Sequence, residues 1–142
     1  MMLRTPLSLL SLGVILFVTT LPQQANSFCI YNKSESETEI NVEQIGGADN
    51  TPWGRRFKKY NVASGNKECC AFDNSDCNDN VSEKTHPVKF RFHVAGHGTD
   101  DSGYEITGHS GRYFIVNGTK EDPHFEVFNF EHKRIEFNLK EV

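Results

Sequence analysis

The chain has 142 residues, with 15 Lys and Arg against 19 Asp and Glu for a net charge of −4. That balance excludes the broad basic footprint of a general nucleic-acid binder. The length suits one domain and is enough for a single modest core.

The first stretch is MMLRTPLSLLSLGVILFVTTLPQQANS. Arg4 supplies a short positive region, Leu7 to Leu21 is apolar apart from Ser, Thr and Gly, and Ala25-Asn26-Ser27 places small residues where a signal peptidase reads. This pattern predicts a secretory signal peptide over residues 1–27, cleaved before Phe28, and one domain over residues 28–142. The apolar run is shorter than the roughly 18–20 residues of a membrane span. No later segment is a candidate span, and the terminal NLKEV is too polar for a lipid-anchor signal. Loss of Arg4 leaves fourteen basic against nineteen acidic side chains, a net charge of −5. The expected location is extracellular, with the vacuole or the cell wall as other ends of the same route.

Cys29, Cys69, Cys70 and Cys77 all lie beyond the cleavage point. An even count in a small exported domain predicts two disulfides. A direct Cys69–Cys70 bond needs a strained ring, so Cys29 pairs with either Cys69 or Cys70 and Cys77 takes the other. Three N-x-[ST] sequons, at Asn32, Asn80 and Asn117, are candidate N-glycosylation sites of the same compartment.

Beyond the signal the apolar pattern has the period of a strand, not of a helix. TEINVEQI alternates through Ile40, Val42 and then Ile45. The turn-rich IGGADNTPWG leads into WGRRFKKY, the one basic and aromatic stretch of an acidic chain. Trp53, Arg55, Arg56, Lys58, Lys59 and Tyr60 form a candidate contact surface there, with Phe57 as a further stacking ring. The plainer alternative is an edge strand that buries Phe57 and uses its cations to discourage edge pairing.

The segment KECCAFDNSDCND sets the sulfur against a polar loop. Cysteine spacings of zero and six residues do not fit the C-x₂₋₄-C pairs of a zinc site. Asp73, Asp76 and Asp79, together with Asn78, offer oxygens to a calcium ion, but the loop lacks the D-x-[DN]-x-[DN]-G order. Asp and Asn also favour turns through their own backbone. The loop therefore reads as a turn held by a cross-link in place of a core, and no cofactor or metal is called for.

PVKFRFHVAG is the clearest strand, with Val88, Phe90, Phe92 and Val94 opposite Lys89, Arg91 and His93. RYFIVNG and HFEVFNF are richer in apolar residues and read as central strands, the Val127-Phe128 pair suggesting a bulge. RIEFNLK alternates again through Ile135, Phe137 and Leu139. Short strands separated by ASGNK, GHGTDDSG, GHSG and NGTKEDP predict an all-β fold, a single antiparallel β-sandwich of about seven to nine strands stapled by disulfides.

Catalytic constellations are weak. His97, Asp100, Asp101 and Ser102 include triad residue types, and His109-Ser110 lies in GHSG, one residue short of a nucleophile elbow. Glu126, Glu131 and Glu136 are explained by strand alternation better than by a glycosidase pair. His93 falls on a polar strand face.

FCIYNKS followed by KKYNVASGNKECCAFDNSDCND resembles small secreted proteins of early-diverging, Mucoromycota-type fungi. These share F-C-x-x-N, a double cysteine before an acidic loop, and D-C-N. The matching positions are Phe28, Cys29, Asn32, Cys69, Cys70, Asp76, Cys77 and Asn78, over the first half of the mature chain. Ala71 stands where an aromatic residue or proline often follows the double cysteine. The resemblance implies export, disulfides and a β-sandwich, and assigns no activity. The functional expectation is a non-catalytic binding module for a cell-surface glycan, a host protein or itself. The alternatives are a self-assembling matrix protein and a membrane-active sandwich.

Overall fold

A computed structural model of the chain describes residues 26–47, 56–71, 73–78, 86–94 and 103–142. The strand Pro87–Val94 illustrates the rule that builds it. Val88, Phe90, Phe92 and Val94 are at most 3% exposed, while Lys89, Arg91 and His93 between them are half-buried on the other face. Ten strands repeat this logic among the described residues: β1 (Asn26–Asn32), β2 (Ile40–Gly46), β3 (Lys58–Val62), β4 (Lys67–Ala71), β5 (Pro87–Val94), β6 (Tyr104–His109), β7 (Arg112–Gly118), β8 (Pro123–Asn129), β9 (Arg134–Ile135) and β10 (Asn138–Glu141). One short helix, α1 (Ser75–Asn78), follows β4.

The strands form two five-stranded sheets, a first in the order β4-β1-β7-β8-β9 and a second in the order β10-β6-β5-β2-β3. The all-β, disulfide-stapled sandwich is thus the fold. Its pairings are antiparallel except for β1 on β7, which is parallel. RIEFNLK accounts for the extra strand. Instead of one strand it makes β9 in the first sheet and β10 in the second, and the chain changes sheets at Glu136–Phe137.

Aromatic rings fill the space between the sheets. Phe28 of β1 meets Phe57 and Phe90 edge to face at 5.0 and 4.6 Å, and Phe90 meets Phe114 at 4.9 Å. Tyr104 and Phe92 pack on Phe125 at 5.0 and 5.5 Å. Such pairs contribute about 0.5–1.5 kcal/mol each beyond the area they bury.

Two local expectations change. In β2 the third buried side chain is Gln44, not Ile45. The Nε2 of the buried Gln44 amide donates to the Cys77 carbonyl at 2.9 Å and to that of Gly46 at 3.2 Å, while its Oε1 accepts from no described residue. The second change is in β8, which carries no bulge and runs in unbroken register with β7 from Pro123 to Asn129. Phe128 simply faces away from the core. The register shifts instead lie in the pairings of β1 with β4, β2 with β3 and β2 with β5.

Residues 1–25 of the expected signal peptide lie outside the described residues. β1 begins at Asn26, two residues ahead of the expected cleavage point, and Ser27 is buried with its carbonyl accepting the Gly111 N–H. Among the described residues no helix is long and apolar enough to cross a membrane.

Candidate functional site

The outward faces of the two sheets differ in chemistry. On the second sheet, the register lines up Lys140, Glu105, Arg91, Glu43 and Lys58 in one row across β10, β6, β5, β2 and β3. The charges alternate from edge to edge. Lys58 pairs with Glu43 at 2.6 Å, Arg91 with Glu105 at 2.5 Å, and Lys89 also bonds Glu105. Opposite charges facing each other across strands stabilise the ladder modestly.

Glu105 is the focus of that row. The hydrogen bonds from Lys89 and then Arg91 hold its carboxyl down to about 2, from a usual value near 4.5. A lowered folded-state value means that its contribution is complete above about 4.5 and disappears as the pH falls toward 2. Denaturant midpoints of the native chain and Glu105→Gln, measured at neutral pH and then stepwise down through that window, should converge as the carboxylate protonates. A gap between them that stays constant with pH would show that Glu105 does not carry the linkage.

The first sheet presents a different face. In β1, Phe28, Ile30 and Asn32 point into the sandwich, so Cys29 and Tyr31 point out. Beside Tyr31 lie Lys67 of β4 and Ile115 of β7; beside Cys29 lie Cys69 and Tyr113; and beyond Tyr113 comes Phe128 of β8. Tyr31 and Tyr113 meet edge to face at 6.0 Å. The imidazole of His132 stacks on Tyr113 at 5.5 Å and 15°.

The turn between β8 and β9 places that imidazole. Asn129 Oδ1 accepts the N–H groups of Glu131 and Lys133 at 3.0 and 2.9 Å, and His132 takes a φ of 61°. A left-handed residue with a full side chain costs about 1–2 kcal/mol, so the turn holds His132 in place against a local preference.

Charge on this face gathers at Tyr31. The ammonium groups of Lys33 and Lys67 lie 5.9 and 5.8 Å from its ring centroid. Neither makes an ion pair among the described residues, whereas Lys58, Lys59 and Lys89 all do. At the other end of the face Arg134 is 3.5 Å from Glu126, which also accepts from Asn117 at 2.7 Å.

The adjacent cysteines divide between the two faces of β4. Cys69 points outward and bonds Cys29, directly opposite it in the β1–β4 ladder. Cys70 points inward and bonds Cys77, which is fully buried on α1. Period two makes both possible at once: neighbours in a strand face opposite ways, so one bridge staples the outer face and the other fastens the polar loop to the core.

That loop is a capped helical turn. Asn74 Oδ1 accepts the Asp76 N–H at 3.0 Å at the start of α1. Asp73 is exposed, Asp76 is half-buried and Asp79 lies outside the described residues. Among the described residues no three His, Cys, Asp or Glu side chains are grouped to hold a metal.

The basic, aromatic stretch is dispersed. Trp53 and Arg55 lie outside the described residues. Phe57 is in the core at 5% exposure, which removes it as a stacking ring. Lys58 is paired with Glu43, and Lys59 reaches across to Glu68 of the other sheet at 3.0 Å. Tyr60 and Arg56 are exposed. β3 is an edge strand of the second sheet, and its lysines sit where they guard that edge.

The three sequons also separate. Asn32 is fully buried, and its Nδ2 donates to the carbonyls of Thr38 and Val62 at 2.8 and 2.7 Å. Asn117 is half-buried with its Nδ2 on Glu126, and Asn80 lies outside the described residues. His97, Asp100, Asp101 and Ser102 also lie outside them. Ser110 is buried in the β6–β7 turn, while His109 is exposed and His93 half-buried on the second sheet. Glu131 pairs with Lys133 at 3.2 Å, and Glu136 is exposed between β9 and β10.

Sequence reasoning passed over Tyr31, Tyr113 and His132. The available signal was that RYFIVNG is apolar on both strand phases, which leaves Tyr113 and Ile115 on the outer phase of a central strand. Rings beside cations that have no carboxylate partner among the described residues can stack on flat apolar surfaces and attract negative charge nearby. No protein-family model, no curated protein and no solved structure matches this chain.

Proposed function

We propose that the chain is an exported, non-catalytic binding module that contacts a cell-surface glycan through the outer face of the first sheet. The asymmetry of the sandwich carries this reading. One outer face has ion pairs on its central strands. The other keeps its Arg134–Glu126 pair toward the β8–β9 edge and carries Tyr31 and Tyr113 on adjacent central strands beside two lysines with no carboxylate partner among the described residues. Sugar rings present apolar C–H faces that stack on aromatic side chains, and tyrosine brings large contact area at little entropic cost. The two disulfides and the apolar leader support export, as does the resemblance to small secreted fungal proteins. A glycan carried by the protein itself does not fit at the buried Asn32, whose Nδ2 the fold already uses.

The test is sedimentation and titration of the secreted protein against insoluble and soluble cell-wall polysaccharides. Tyr31→Ala should weaken binding about 10- to 30-fold, as expected for removal of a central aromatic contact. His132→Gly accepts the left-handed backbone without strain and removes only the ring over Tyr113. It should leave the fold intact while weakening binding. Unchanged binding in both variants would overturn the assignment of this face.

A second reading, self-assembly, is favoured by one observation. Leu139 is 48% exposed on β10, an edge strand of the second sheet. Sizing of the native chain beside Leu139→Lys distinguishes the two. Oligomers abolished by that substitution would support assembly, and a monomer in both cases would exclude it.

A further inference from the structure

Resting on that reading, we infer that the glycan is anionic: a uronic-acid polysaccharide whose sugar ring lies on Tyr31 and whose carboxylate is held by Lys33 and Lys67. Two cations converge on one ring in a chain whose net charge is −4. Their backbones are fixed independently. Lys67 lies directly opposite Tyr31 in the β1–β4 ladder, while Lys33 donates its N–H to the Val116 carbonyl at 2.7 Å and follows the fully buried Asn32. Two cations whose backbones are held separately thus flank the same ring, 5.9 and 5.8 Å from its centre, which raises the local positive potential where an anion would bind.

Charge complementarity selects the occupant. A neutral sugar would use the ring and leave both ammonium groups unmatched. A bare phosphate or sulfate would use the ammonium groups and leave the ring idle. A uronate has the C–H face and the carboxylate on the same ring, so a single residue satisfies both. A second copy of the chain laid face to face would bring Lys33 and Lys67 toward their own counterparts, which like-charge repulsion opposes.

The experiment titrates the secreted protein with polygalacturonate, polyglucuronate and alginate. Each is compared with its carboxyl-esterified form, alongside vesicles of phosphatidylserine in phosphatidylcholine. At least one uronate should bind, its ester about tenfold more weakly, and binding should weaken as salt rises from about 50 to about 200 mM. The Lys33→Gln and Lys67→Gln double variant should lose about tenfold, while Lys140→Gln on the opposite sheet should change nothing. Both lysines are exposed, so these substitutions leave the core untouched. Equal binding of acid and ester, with no effect of the lysine variant, would overturn the anionic assignment while the glycan reading survived. Binding of none of these and of none of the neutral cell-wall polysaccharides would remove both, and tighter binding to the vesicles than to any uronate would overturn the inference in favour of a lipid surface.

Discussion

Asn32→Asp should destabilise the protein by about 3–5 kcal/mol at neutral pH, enough to unfold a domain of ordinary stability. Asn32 is fully buried where β1 of the first sheet meets the end of β3 in the second. Its Nδ2 donates to Val62 of β3 and to Thr38 in the β1–β2 connection, and its Oδ1 accepts the Ser34 N–H at 3.1 Å and the Ser34 hydroxyl. The backbone is held as well, with the Asn32 N–H on the Asn66 carbonyl at 2.9 Å and the Gly65 N–H on the Asn32 carbonyl at 2.8 Å. Aspartate keeps the shape but replaces the two-hydrogen donor with a carboxylate oxygen aimed at two carbonyl oxygens in a fully buried position. The unpaired buried charge and the orphaned carbonyls then act together. Urea unfolding of the two proteins measures the difference, and a loss below about 1 kcal/mol would refute this role. The same geometry predicts the peptide containing Asn32 to be unmodified in protein made by a glycosylating host. A glycan on that nitrogen would consume a hydrogen the fold uses and demand space that it does not have.

The second large effect belongs to the bridge between Cys29 and Cys69. Converting both to Ala opens a link spanning 40 residues of sequence, for which loop-closure entropy predicts a loss of about 4 kcal/mol. Single substitutions would leave a free thiol, so the double variant is the clean comparison. Its denaturation midpoint should fall well below that of the native chain, and reducing agent should shift it further by opening Cys70–Cys77. A double variant within about 1 kcal/mol of the native chain would mean that the β1–β4 ladder is set by other contacts.

These two residues also show what the sequence made legible. F-C-x-x-N is part of the resemblance to small secreted proteins, and each of its named members serves the fold. Phe28 fills the core, Cys29 forms the outer staple and Asn32 bolts the sheets together. Period two was readable wherever one phase was plainly apolar, as in PVKFRFHV. It was ambiguous in TEINVEQI, because a buried amide such as Gln44 looks polar until its partners, the carbonyls of Cys77 and Gly46, are known. It misled in RIEFNLK, where Ile135 and Phe137 both pack against the core although a sheet change separates β9 from β10. Alternation records which way a side chain faces and carries no mark of which sheet it belongs to.

The candidate face was legible only in part, for a related reason. Tyr31 and Tyr113 are distant in sequence, and only the parallel pairing of β1 with β7 makes them neighbours. WGRRFKKY drew attention because its charges are contiguous, but contiguous residues of a strand diverge. Lys58 and Lys59 leave on opposite faces, one to Glu43 and the other to Glu68. A functional surface on a sheet is assembled across strands, where sequence proximity is no guide.

The adjacent cysteines have one more consequence. Sliding β4 by a single residue along β1 would exchange the facing of Cys69 and Cys70. Cys29 would then meet Cys70, and Cys77 would be left to Cys69. The two possible bond patterns therefore correspond to two alignments of the same strand, and sulfur chemistry writes down permanently which one the chain adopted. A disulfide map of this protein reads out the alignment of its first sheet, without any need to see the sheet.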